Sequence, residues 1–343
     1  MTQTRARGRR PTLEEVAVRA GVGRGTVSRV INGSPRVSEQ ARAAVQEAIA
    51  ELGYVPNRVA RSLVTSRTDA VALVIPEPQT RLFAEPYFSD IVRGVSAELA
   101  GTDMQLLLTL VRTSHERQRL AQYLSAHRVD GVLMVSVHQD DPLPDLLKRI
   151  EMPAVLSGRR SGPEPVSHVD SDNVGGARLA VRHLVEVRGS RAVATITGPP
   201  DMDVARCRLD GYRQAIADSG HEPDERLVAH ADFTEEGGRE AMRRLLVRRP
   251  DVDAVFAASD VMASGALRIL RESGRSVPDD VALIGFDDSV VARHTDPPLT
   301  SVRQPTEEMG RTMARLLLEE MATPGRDHRR MVLPTELVRR RSA

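Results

Sequence analysis

The stretch GVGRGTVSRV, residues 21–30, has two readings that lead to different folds. Glycines at alternate positions suggest a loop that cradles a dinucleotide phosphate. The ending TVSRV, followed by INGSPRVS (31–38), suggests a helix that lies on DNA. The phosphate reading fails on spacing. A dinucleotide loop needs G-x-G-x-x-G directly after a strand, and the third glycine would fall on Thr26. A phosphate loop ending in Gly-Lys fails too, because the chain's one lysine is Lys148. What precedes the stretch also reads as a helix: Thr12 and Glu15 form a capping box, and Leu13, Val16, Ala17 and Ala20 repeat at helical spacing.

Working outward, Gly21 stops that first helix and Val27, Val30 and Ile31 form the stripe of a second, from about Arg24 to Asn32. Residues 32–35 make a turn, Ser38 caps a third helix with Ala41, Val45, Ala48, Ile49 and Leu52 inward, and Gly53 ends it. Two helices joined at a tight glycine turn fit a helix-turn-helix whose second member enters the major groove. Arg24, Gly25, Ser28 and Arg29 then face outward, and arginine pairs bidentately with guanine. Charge agrees. Residues 1–68 hold 12 arginines against five glutamates, a net +7, while the remainder carries 36 basic and 42 acidic residues, a net −6. A basic head on an acidic body points to a polyanion partner for the head. A solvated helical hairpin, the plainer alternative, leaves the +7 unexplained.

After Pro56, Asn57 can cap a short helix to about Val64, too short to stand alone in water. From Val71 onward apolar runs alternate with helical stretches. Strands are expected at 71–76, 104–111, 130–137, 153–158, 168–172, 192–198, 226–232, 254–259, 281–288 and 300–305. That alternation implies two doubly wound parallel sheets with ligands beyond their carboxyl ends. The expected layout is a head over 1–56, a hinge over 57–68, one lobe over 69–171 and 303–330, and a second over 172–302 and 331–343. A single cysteine, Cys207, excludes an internal disulfide, and the nine histidines form no metal-binding spacing. No catalytic nucleophile–base set is visible, so neither an enzyme nor a cofactor is expected. No apolar run spans a membrane and no secretory h-region follows the basic N-terminus, so a cytoplasmic, nucleoid-associated protein is expected.

Nine residues are aromatic, and Phe83, Tyr87 and Phe88 fall together within FAEPYF (83–88). They suit either core filling or a wall for the apolar faces of a sugar.

TLEEVA (12–17), AGV (20–22), TVSRVING (26–33), ELGYVPN (51–57) and ARSL (60–63) stand in the order and spacing of the lactose-repressor (LacI) family. The resemblance runs on through VDSDN (169–173), ITGP (196–199), FAASD (256–260), GFDDS (285–289) and PPLTSVRQP (297–305). It implies a helix-turn-helix head, a hinge helix and a two-lobed sensor resembling periplasmic sugar-binding proteins. It implies base reading by Arg24, Gly25 and Arg29, with Thr12, Thr26, Ser28 and Asn32 also at the DNA. In the hinge it implies Leu63 inserted into the minor groove, Ala60 at the close-packed face, and Asn57 and Arg58 also at the DNA. Gly23 stands where the family usually has a capping serine, and Gly25 brings no side chain to a reading position. In the sensor it implies effector contacts by Phe83, Tyr87, Phe88, Arg208, Phe233, Ser259, Asp260 and Asp287; Gly158 stands where many members place an aspartate. The implied protein is a homodimeric repressor on a palindromic operator, released by a small sugar. EPQTRLFAEPYFSD (77–90), DDPLPDLL (140–147) and VDSDN are most similar to members answering cellobiose or related β-glucosides. The alternatives are another sugar, a purine-type corepressor, or a sugar-binding or sugar-modifying protein with no DNA role.

Overall fold

A computed structural model describes residues 11–31, 34–55, 67–162, 165–323, 325 and 327–343. Its contacts divide the chain after Thr68 into a small head and a large body.

The head holds α1 (Leu13–Arg19), α2 (Arg24–Ile31) and α3 (Glu39–Leu52). The capping box forms as the sequence dictates. Glu15 N–H donates to Thr12 Oγ1 at 3.3 Å, and Thr12 N–H donates to the Glu15 carboxylate at 2.7 Å. Gly21 turns at φ +66°, a conformation that costs little without a Cβ. Gly53, at φ +60°, ends α3 and brings Tyr54 back onto the core. None of these helices is stable alone at 7, 8 and 14 residues. Val16, Val27, Val30 and Val45, all buried, supply the packing that propensity does not.

The body holds two six-stranded sheets. The first contains β1 (Ala70–Ile75), β2 (Gln105–Leu110), β3 (Gly131–Met134), β4 (Ala154–Ser157), β5 (Ser167–Ser171) and β11 (Arg330–Leu333), in the order β11-β5-β4-β3-β1-β2. The second contains β6 (Val193–Thr197), β7 (Val228–His230), β8 (Ala254–Ala257), β9 (Ala282–Asp287), β10 (Thr300–Arg303) and β12 (Glu336–Val338), in the order β12-β10-β9-β8-β6-β7. All pairings are parallel except that of β12 with β10. Strand alternation feeds two cores per sheet. Val71, Leu73 and Ile75 face one side of β1, and Ala70, Ala72 and Val74 the other. Helices cover both faces, as continuously apolar parallel strands require. They are α4 (Gln79–Ala84), α5 (Pro86–Leu99), α6 (Ser114–Ser125), α7 (Leu143–Arg149) and α13 (Thr306–Ala322) for the first sheet. For the second they are α8 (Asn173–Arg182), α9 (Asp203–Asp218), α10 (Glu235–Arg248), α11 (Asp260–Glu272) and α12 (Val290–His294).

All ten expected strands are present, and β11 and β12 are additional. They correct the layout at the C-terminal end. The last crossing was expected after residue 330, yet Arg330–Leu333 pairs with β5 of the first sheet, and the chain joins the second sheet only at Glu336. β11 is a four-residue edge strand, mostly exposed, so it carries no buried-face pattern.

Candidate functional site

α2 presents Arg24, Gly25 and Arg29 to solvent, while Val27 and Val30 hold it to the head core. Gly23 fills the capping position with its backbone alone: its carbonyl accepts from the N–H groups of Thr26 and Val27 at 2.8 and 3.2 Å. Arg24 Nη1 lies 3.1 Å from Glu14 of α1. Arg29 curls back so that Nε donates to the Gly25 carbonyl at 3.1 Å. Thr26 and Ser28 are half-buried beside them, and Thr12 is engaged in capping α1. Asn32, Asn57, Arg58, Ala60 and Leu63 lie outside the described residues.

In the body, the carboxyl ends of strands from both sheets face a cleft lined by residues of both. Its apolar walls come from Tyr87 and Phe88 on one side and Met202, Val204 and Phe233 on the other. Tyr87 and Phe88 meet edge to face at 5.3 Å. The Tyr87 hydroxyl lies 2.6 Å from Ser157 Oγ, and burial pushes its pKa up to about 12. Phe233, at φ +65°, lays its ring over Gly198, where any Cβ would overlap it. The Arg81 guanidinium stands 5.1 Å from the centre of that ring.

The floor is a continuous polar chain. Asn173 Nδ2 donates to Asp170 Oδ1 at 2.8 Å, and Arg208 Nε donates to Asn173 Oδ1 at 2.9 Å. Arg208 Nη1 donates to the Ala258 carbonyl at 2.5 Å and stands 3.6 Å from Asp287 Oδ1. Its guanidinium lies 3.7 Å from the centre of the Phe286 ring. Gln304 Nε2 donates to Asp287 Oδ1 at 2.7 Å, and Ser171 Oγ donates to Gln304 Oε1 at 2.9 Å. Burial lifts the Asp170 carboxyl to about 6 and the Glu85 carboxyl to about 7, the latter despite its bond from Arg81. Burial also raises Asp287, with Arg208 opposing. A floor of carboxylates, amides and a fixed guanidinium between aromatic walls suits a ligand with many hydroxyls and apolar ring faces.

Of the residues singled out in the sequence, Tyr87, Phe88, Arg208, Phe233, Ser259 and Asp287 come together in this cleft. Phe83 does not: it is 83% exposed on the outer side of α4. Asp260 does not line it either. Fully buried beneath, it accepts from Ser289 N–H at 2.7 Å and from Ser301 Oγ at 2.6 Å. Arg81, Glu85, Asp170, Asn173 and Gln304 line the cleft and were not singled out. Signals for them existed: Asp170, Asn173 and Gln304 stand at or just past strand ends, and Glu77, Arg81 and Glu85 repeat every four residues.

Residues 12–57 match the model of the bacterial regulatory proteins of the lacI family, and residues 164–343 match that of a periplasmic binding protein-like domain. The HTH-type transcriptional regulator CelR of Thermobifida fusca is 56% identical over 338 residues, 98% of this chain and 99% of the relative. The ribose operon repressor of Escherichia coli strain K12 is 34% identical over 336 residues, 97% and 99% of the two chains. Among solved structures, a complex of the transcriptional regulator CelR with cellobiose matches with a TM-score of 0.79 at 54% identity, covering 97% of this chain and 100% of that one. The lac repressor dimer bound to operator and the anti-inducer ONPF matches with a TM-score of 0.86 at 28% identity, covering 97% and 99%. With a lacI-family head and relatives 56% and 34% identical that span nearly the whole chain, this chain belongs to the LacI family of bacterial transcriptional regulators.

Proposed function

We propose that the protein is a homodimeric repressor that reads a palindromic operator through α2 and releases it when cellobiose, or a related β-glucoside, fills the cleft. The observation that carries the sugar reading is the cleft's charge pattern. Its arginines are already engaged: Arg81 by Glu77 and Glu85, Arg208 by Asp287, and Arg159 by Asp203 at 3.2 Å. Asp170, Asp287 and Glu85, though each already bonded within the protein, are carboxyls with lone pairs to spare for hydroxyl donors, so the site favours a neutral polyol over a phosphate or a carboxylate. Tyr87 and Phe233 supply stacking faces, and the relative solved with cellobiose supports a disaccharide.

On the DNA side, Arg24 and Arg29 read guanines with little help from Gly25. Leu63 wedges into the minor groove at the operator centre, where two hinges pair across the dimer. Release follows by linkage. Sugar binding favours a lobe orientation that separates the hinges, so operator affinity falls as the cleft fills. A thermal-shift panel of cellobiose, ribose and hypoxanthine tests the effector. At one cellobiose concentration the melting temperature of the wild type should rise and that of Arg208→Ala should rise much less. A shift with hypoxanthine alone would assign a purine corepressor instead.

A further inference from the structure

His138, just after β3, joins the two sheets across the cleft. Its Nδ1 lies 2.7 Å from Asp201 Oδ2, in the loop after β6 of the second sheet. Its Nε2 lies 3.0 Å from Glu77 Oε1, in the loop after β1 of the first. The same loops also meet by backbone: Gln139 N–H donates to the Asp201 carbonyl at 2.8 Å, and His138 bridges Met202.

Both partners of the ring are carboxylates. Glu77 also accepts from Ser136 Oγ and, at 2.5 Å, from Arg81 Nη1. Burial alone would raise its pKa, but the hydrogen bond from His138 and the charge of Arg81 bring it below the usual range, so it is ionised. An ionised carboxylate only accepts, and a neutral imidazole has one N–H to give. A neutral ring would satisfy one partner and turn a lone pair on the other, so two bonds require the imidazolium. The charged groups around the ring favour that form. Glu77 and Asp201 face it directly, Arg81 stands behind Glu77, and Asp203 in the next turn is held by Arg159 and Arg206.

We propose that His138, as an imidazolium, positions the two sheets around the bound effector, so that binding draws a proton from solvent and tightens as pH falls. The proposal rests on the cleft being the effector site. Opening the cleft parts His138 from Asp201 and leaves Glu77, so the closed form holds the proton more firmly than the open one. The hydrogen bonds that His138 donates to Glu77 and Asp201 raise its pKa above the ordinary histidine value, with burial opposing. A raised histidine stabilises the bridged state at low pH, and that contribution disappears as pH rises through its value.

The test uses the full-length chain, with the cellobiose Kd measured by calorimetry between about pH 6 and 8.5, across which histidine changes charge. Wild-type affinity should weaken by roughly fivefold or more over that range, a typical coupling. His138→Gln and Asp201→Asn should lose the weakening with rising pH and keep only the slope that ionisation of the cleft carboxyls Asp170 and Glu85 contributes. An equal slope in His138→Gln, or a pH-independent wild-type Kd, would overturn the proposal. A second arm needs no sugar: the His138 imidazole midpoint, followed by NMR on histidine-labelled protein, should fall in Asp201→Asn, and an unmoved midpoint overturns the bridge. Failure of cellobiose to bind at any pH would instead overturn the effector reading, with the midpoint still judging the bridge.

Discussion

Arg208 shows how much one buried side chain organises. It is 4% exposed, bonded to Asn173 and Ala258, paired with Asp287 and stacked on Phe286. Removing one partner of a buried charged bond costs about 1.5–3 kcal/mol, so Arg208→Ala should weaken cellobiose binding roughly tenfold or more, measured by calorimetry. Gly198→Ala is a gentler probe. Its Cβ would displace the Phe233 ring, so sugar affinity should drop while operator affinity without sugar stays as in the wild type. Sequence alone reaches many such residues because strand ends and aromatics mark them. It fails where side-chain direction decides. Ser259 caps α11 and lines the cleft, while its neighbour Asp260 points into Ser289 and Ser301. Phe83 sits two residues from Arg81 on α4, about 200° around a helix, so the face that carries Arg81 and Glu85 to the cleft carries Phe83 away.

Among the elements, α1 and α3 were legible because their caps are local chemistry, Thr12 with Glu15, Ser38 and Gly53, and α2 because of its stripe of Val27, Val30 and Ile31. Thr12→Ala should destabilise the head by about 1 kcal/mol, read as a lower urea midpoint. Arg29→Ala leaves α2 on its core and removes the guanidinium proposed to read guanine. Operator discrimination should fall by about 1–3 kcal/mol per lost guanine contact, with salt-sensitive weak binding retained; unchanged discrimination in a competition gel shift would reject Arg29 as a reader. The packing of α5 on α13 was not legible, because the two helices are more than 200 residues apart in the chain. They approach so closely that a Cβ on Gly94 would overlap the Glu307 carbonyl, and one on Gly310 the Ile91 carbonyl. Neither backbone can yield easily, so Gly310→Ala should cost about 1–3 kcal/mol, seen as a lower melting temperature of the body. β11 escaped notice for the opposite reason: too little of it is buried to leave a pattern.

The whole molecule separates two tasks by charge and architecture. A head with net +7 meets DNA, and a body with net −6 builds a cleft whose cations are internally paired. No helix among the described residues is long and apolar enough to cross a membrane. Coupling between the tasks is the central claim, and one titration tests it most directly. Duplexes would be selected from a random library with the full-length wild type, and the best one titrated by fluorescence anisotropy with and without saturating cellobiose. The predicted result is a twofold-symmetric site whose Kd weakens about tenfold or more with cellobiose and stays unchanged with ribose. An operator Kd indifferent to cellobiose would contradict it.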